Sequence, residues 1–184
     1  MWQFRTILMV AALGLGACTG QGSPSLSSAD NNFIMQAAAG GMSEVALGQM
    51  AQRYSSNPAV KQFGEHMERD HSAANQELIA IAGRKGVIPP TTLDPGRVNA
   101  NRQLSMLSGT AFDQQYMIQQ VQDHELQLAL FRQQAQSGSD PDLKAFAAKY
   151  LPVVQAHANA AQQLLDSVSL PAAPVAPPAP RTRR

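Results

Sequence analysis

The sequence predicts an all-α fold, a bundle of four long helices in two antiparallel hairpins joined by a long crossover that carries a short helix. Apolar residues recur at helical period through most of the chain, and no alternating strand pattern competes with them. Two short segments of the first half return in the second half, the second of them displaced by three more residues than the first. Three of the four histidines, His71, His124 and His157, interrupt apolar stripes near the middle of their helices.

The first helix is expected over residues 29–54, with the stripe Phe33, Ala37, Gly40, Glu44, Leu47, Ala51 and Tyr54. Asn57 followed by Pro58 opens the second, because an Asn side chain caps the first turn and proline suits the first helical position. Its stripe runs Val60, Phe63, Met67, His71, Ala74, Leu78, Ile81, and Gly86 marks its end. The Pro-rich stretch 87–95 leads to a short helix over 97–107, broken by Ser108, Gly109 and Thr110. A third long helix is predicted over 111–136, with Met117, Val121, His124, Leu128, Phe131 and Ala135 on one face. Asp140 and Pro141 repeat the capping device and open the fourth, to residue 167, with Leu143, Phe146, Tyr150, Val153, His157, Ala161 and Leu164 facing inward.

The repeat pairs the helices. Ser56-Asn57-Pro58-Ala59-Val60-Lys61-Gln62-Phe63 matches Ser139-Asp140-Pro141-Asp142-Leu143-Lys144-Ala145-Phe146, and the segment after His71 resembles the segment after His157 at an offset of nearly one turn. Pro152 lies inside that offset, where a kink can absorb the extra residues. An internal duplication with a long crossover is the layout of ferritin-like four-helix bundles.

Composition and the chain ends bound the function. The 184 residues are 44% hydrophobic and 15% charged. Residues 29–168, the expected domain, carry ten Lys/Arg against thirteen Asp/Glu, which gives no reason to expect nucleic-acid binding. Arg5 precedes the apolar run 7–15, too short to span a bilayer but suited to a signal-peptide core. The run ends in Leu15-Gly16-Ala17-Cys18, which resembles a bacterial lipobox, and Cys18 is the only cysteine. The expectation is a signal peptide over 1–17, acylation at Cys18 and a tether over 18–28. Thr19 follows the cysteine where an inner-membrane retention signal would place Asp, so an outer-membrane lipoprotein facing the periplasm is expected. Residues 169–184, rich in Pro and Ala and ending Arg181-Thr182-Arg183-Arg184, read as an extended tail that could touch cell wall or envelope proteins, or carry no specific partner.

Glu44, His71, His124 and His157 each fall within about one turn of their helix centres, so an antiparallel bundle puts them at one depth. An ionisable group in a bundle core is costly unless paired or metal-bound. Three neutral imidazoles and a carboxylate suit one divalent ion of zinc, iron or manganese. Glu68, three residues before His71, is a candidate fifth ligand, and Asp70, Asp123 and Gln155 are candidates to orient the rings. The alternative is a metal-free polar layer in which Glu44 pairs with a protonated histidine and fixes helix register. His66 falls off the stripe and reads as exposed; Tyr116 and Tyr150 read as core.

The order Phe33, Glu44, Met67-Glu68-Arg69-Asp70-His71, Phe112-Asp113, Tyr116, His124, Phe146-Ala147, Leu151-Pro152 and His157 resembles the bacterial secreted family known as domain of unknown function 4142, over residues 30–165. The resemblance implies a ferritin-like helical bundle in the bacterial envelope and no established biochemical role. Di-iron bundles use two Glu-x-x-His pairs and two further glutamates, whereas His124 stands where a glutamate is expected and Val154 lies three before His157. A nitrogen-rich single-ion site fits better than a ferroxidase centre. No nucleophile elbow, phosphate loop or Cys/His dyad is present, and neither catalytic residues nor an organic cofactor are expected.

Overall fold

The computed structural model describes residues 26–169. The leader, the acylation expected at Cys18, the tether up to residue 25 and the tail from residue 170 lie outside the described residues. Five helices and no strand occur among the described residues: α1 (Ser28–Tyr54), α2 (Pro58–Arg84), α3 (Pro95–Leu104), α4 (Gly109–Ser137) and α5 (Pro141–Ser169). None of them is long and apolar enough to cross a membrane.

The helix ends follow local chemistry. Ser27 caps α1 by accepting from the Asp30 N–H, and Asn57 caps α2 by accepting from the Ala59 N–H. The α2 C-terminus closes with Gly86 at φ 71°, the Gly86 N–H on the Gly83 carbonyl and the Val87 N–H on the Ala82 carbonyl, a paired bond that requires the left-handed conformation glycine adopts readily. The short helix starts at Pro95, two residues earlier than the sequence suggests, because Asp94 caps it from the Arg97 N–H and so repeats the Asn57-Pro58 device. It stops at Leu104, where Ser105, Met106 and Leu107 form turns in place of a continued helix. Asp140 accepts from the N–H groups of Asp142 and Leu143 at the start of α5, which runs unbroken through Pro152 to Ser169.

The long helices pack in sequence pairs. Gln49 and Gln52 of α1 both donate to Glu68 of α2, at 2.9 and 2.7 Å. Their backbones approach closely at Gly48 and Gly64, where a Cβ on Gly48 would lie 2.5 Å from the Gly64 carbonyl. On the other pair, Gln114 near the start of α4 donates to the Val168 carbonyl near the end of α5, and Arg132 reaches Gln155. Lys149 and Tyr150 of α5 meet Glu77 of α2, and Lys85 bridges to Asp140 and Asp142.

The apolar core has two halves. One holds the edge-packed rings of Phe33, Phe131 and Phe146 with Ile34, Leu78, Leu128 and Val154. The other holds the stacked Phe112 and Tyr116 with Leu47, Phe63, Met67, Met117 and Ala161. On every long helix a buried polar residue lies between the two halves: Glu44 on α1, His71 on α2, Gln120, His124 and Gln127 on α4, and His157 on α5. The core is therefore cut across its middle by one polar layer.

A second polar feature runs lengthwise. Asp113, Gln120, Gln127 and Gln134 recur every seventh residue on α4 and all are buried. Asp113 accepts from Ser56, Gln120 and Gln127 donate to Glu44, and Gln134 donates to Asp30. Asp30 also accepts from the backbone N–H groups of Ser139 and Asp140, so one buried carboxylate ties the first turn of α1 to the loop between α4 and α5.

Candidate metal centre

Three imidazoles meet where the polar layer crosses the bundle. The ring centroids of His71, His124 and His157 stand 5.7, 5.4 and 5.5 Å apart, nearly an equilateral triangle. One ligand nitrogen from each lies within 4.8 Å of the others. Helical periodicity turns each ring toward the core, since each histidine occupies the inward position that its apolar neighbours one turn away also occupy, and packing between the helices brings the three rings together.

The outer contacts of two rings fix which nitrogen faces inward. His124 Nδ1 lies 2.9 Å from the Gln120 carbonyl, an acceptor, so Nδ1 carries the proton and Nε2 presents its lone pair. His157 Nε2 lies 3.1 Å from an Asp70 carboxylate oxygen, so Nε2 carries the proton and Nδ1 presents its lone pair. His71 Nε2, His124 Nε2 and His157 Nδ1 are all buried without a hydrogen-bond partner. An unmade bond at a buried polar atom costs about 1–3 kcal/mol, and the three rings that carry these atoms stand close enough together that they could hold a metal ion.

The rings stay neutral near pH 7. Burial, then the neighbouring His157, pushes His124 down to about 4. Burial and the two other histidines hold His71 well below the usual imidazole range. Burial also lowers His157, against the opposing pull of Asp70. Neutral imidazole is the form that binds a metal. The carboxyl of Asp70 is raised by burial, but bonds from Arg69 and His157 outweigh that and leave it more acidic than usual. The Asp70–His157 pair is the carboxylate–histidine arrangement that orients metal-binding rings.

The other expected site residues fall elsewhere. Glu44 is buried in the layer, but Gln120 at 2.7 Å and Gln127 at 3.5 Å bond its carboxyl, and the group of mutually close ligand atoms does not include it. Burial and the charge of Asp123 push Glu44 up to about 8, so it is protonated at neutral pH. Glu68 also stands outside that group, because its position on α2 turns it to Gln49 and Gln52 across the seam with α1. Asp123 makes no bond to a histidine; it lines a cavity of about 180 Å³ with Glu44, Arg97 and Gln127. Gln155 lies on the outer face, against Arg132 and Asn159. Gln120 and Gln127 were not anticipated, although Gln120 lies four residues before His124 and Gln127 three after it, on the same helix face.

Set against known proteins, the sequence profile of the domain of unknown function DUF4142 matches residues 16–164, and the chain belongs to that family. No curated protein matches it. Among solved structures it is similar to a DUF305 fragment from Deinococcus radiodurans, with a TM-score of 0.69 at 13% identity over 78% of this chain and 99% of that one. At that identity the likeness concerns the helical fold alone.

Proposed function

We propose that this protein is a metal-binding lipoprotein of the bacterial envelope, a ferritin-like bundle that holds one divalent ion of zinc, iron or manganese for buffering, sensing or stress protection. The observation that carries the metal reading is the convergence of three unpartnered, buried imidazole nitrogens, two of them with the opposite ring nitrogen tied to an acceptor. His71, His124 and His157 would hold the ion through these nitrogens, a donor set that suits zinc, iron or manganese. The ferritin-like reading is supported by the internal repeat, the sequence pairing of α1 with α2 and of α4 with α5, and the long connection that carries α3. The envelope reading rests on the leader pattern ending in Cys18, with attachment to the outer membrane through that residue and the Arg-ending tail free to meet cell wall or envelope proteins.

The test is elemental analysis of the full chain after reconstitution with each ion and removal of excess. About one ion per chain is expected, with His124→Ala and His157→Ala falling well below it. Absence of metal from the parent chain sinks the reading. Glu44→Gln is expected to keep the ion, since the histidines suffice; loss of the ion would make Glu44 a fourth ligand. A metal-free scaffold is the competing reading, favoured by the bonds of Gln120 and Gln127 to Glu44, which satisfy part of the layer without an ion. Under it, a folded variant with all three histidines replaced by Leu and Glu44 by Gln retains cellular function.

A further inference from the structure

The three-histidine site is not equally enclosed on all sides. His124 is fully buried, whereas His71 and His157 keep 6% and 7% of their surface. The opening lies between α2 and α5, where a groove of about 480 Å³ is lined by His66, Met67, Asp70, Pro152, Ala156 and His157. Next to it, a small chamber of about 20 Å³ shares Asp70, Val153 and His157 with the groove and is also lined by His71. The groove and the chamber adjoin at Asp70, Val153 and His157, so together they border two of the three site histidines, His71 and His157.

His157 joins the two sides by its two nitrogens. Its Nδ1 belongs to the unpartnered inner set, while its Nε2 meets Asp70, a residue lining the groove. His66 lies on the exposed face of α2, four residues before Asp70, and lines the same groove. Residues four apart on a helix are surface neighbours, and a His/Asp pair at that spacing can take hold of a divalent ion. Arg69 bonds Asp70 at 2.8 Å from the same surface and sets a positive charge beside this entrance.

We propose that His66 and Asp70 form an outer capture site through which a divalent cation enters the α2–α5 groove and passes His157 to reach the three-histidine centre. The inference rests on the metal reading above and adds a route and a residue to it. A capture site changes how fast an ion arrives and leaves, and leaves the final occupancy alone. Asp70 has a second task as the partner that positions His157, so His66 is the cleaner probe.

The experiment follows Zn2+ uptake by the metal-free full chain in stopped flow, read by competition with a zinc indicator dye, together with equilibrium titration. His66→Ala is expected to slow both uptake and release by about tenfold while stoichiometry and Kd stay within about twofold. Ala156→Arg, which narrows the groove and adds a cation without touching a ligand, is expected to slow uptake similarly, and Arg69→Gln to speed it. Uptake by His66→Ala and Ala156→Arg at the parent rate overturns the route. A loss of affinity in His66→Ala that matches its loss of rate also overturns it, by making His66 a ligand of the final site. Failure of the parent chain to bind Zn2+ at equilibrium removes the three-histidine reading itself, an outcome distinct from normal binding with unaltered rates.

Discussion

A buried imidazole among two others makes stability depend on pH with the opposite sign to the buried carboxyl in the same layer. His71, His124 and His157 resist protonation in the folded chain more than in the unfolded one, so the unfolded state takes up more protons as the pH falls. Their contribution to stability is full above about pH 6.5 and is lost as the pH falls toward 4, the value to which His124 is pushed. For His124 alone this amounts to about 3 kcal/mol across that window, at 1.36 kcal/mol per pKa unit. Urea denaturation of the metal-free chain between pH 7 and pH 4 should therefore show a falling midpoint, and His124→Leu should flatten the fall. Glu44 works the other way: raised to about 8, it is held protonated when folded, and stability declines as the pH climbs from its ordinary value of 4.5 to 8. Glu44→Gln keeps the neutral form at all pH, so its stability relative to the parent chain should grow across that range. A constant difference between the two from pH 5 to pH 9 would mean that Glu44 is not shielded from water.

At the scale of the helices, the seams differ in what specifies them. The α1–α2 seam depends on close approach, because Cβ atoms on Gly48 or Gly64 would press into the facing backbone or the methyl of Ala51. Gly48→Ala gains up to about 1 kcal/mol of helix propensity but must spread the pair, and overpacking of this kind costs about 1–3 kcal/mol. A lowered thermal midpoint is the expected result, and an unchanged or raised one would show that the seam yields freely. The α1–α4 seam depends instead on the polar ladder at Gln120, Gln127 and Gln134, whose partners Glu44 and Asp30 set one register between two helices distant in sequence, while Asp113 ties the start of α4 to Ser56 in the loop after α1. The helices themselves were legible in the sequence because caps and period are local: Asn57-Pro58 and Asp140-Pro141 mark two starts and Gly86 an end. The start of α3 is less legible because Asp94-Pro95, the same device, sits in a Pro-rich stretch that masks it.

Across the whole molecule, the polar layer separates two apolar halves, so any ion bound there touches all the helices that carry the three histidines: α2, α4 and α5. Binding at that point couples to global unfolding, since no ligand set survives in the unfolded chain. Zn2+ at a hundred times its Kd should add about 2.7 kcal/mol to stability. Differential scanning calorimetry should register this as a higher melting temperature in the parent chain and no shift in a variant with all three histidines replaced. An equal shift in both would place the ion elsewhere on the chain.

The sequence by itself determined that the chain is helical, where its long helices begin and end, and that His71, His124 and His157 face inward at one depth, because caps, periodicity and helix length are properties of neighbouring residues. The tertiary structure decided which of the polar residues at that depth meet. Depth fixes height along a bundle and leaves rotation about each axis open, and that rotation depends on packing between helices far apart in sequence. It brings the three histidine nitrogens together, gives the carboxyl of Glu44 to the glutamines of α4, and turns Glu68 outward to α1. It also places His66 and Asp70, neighbours on one face of α2, in one groove with His157 of α5.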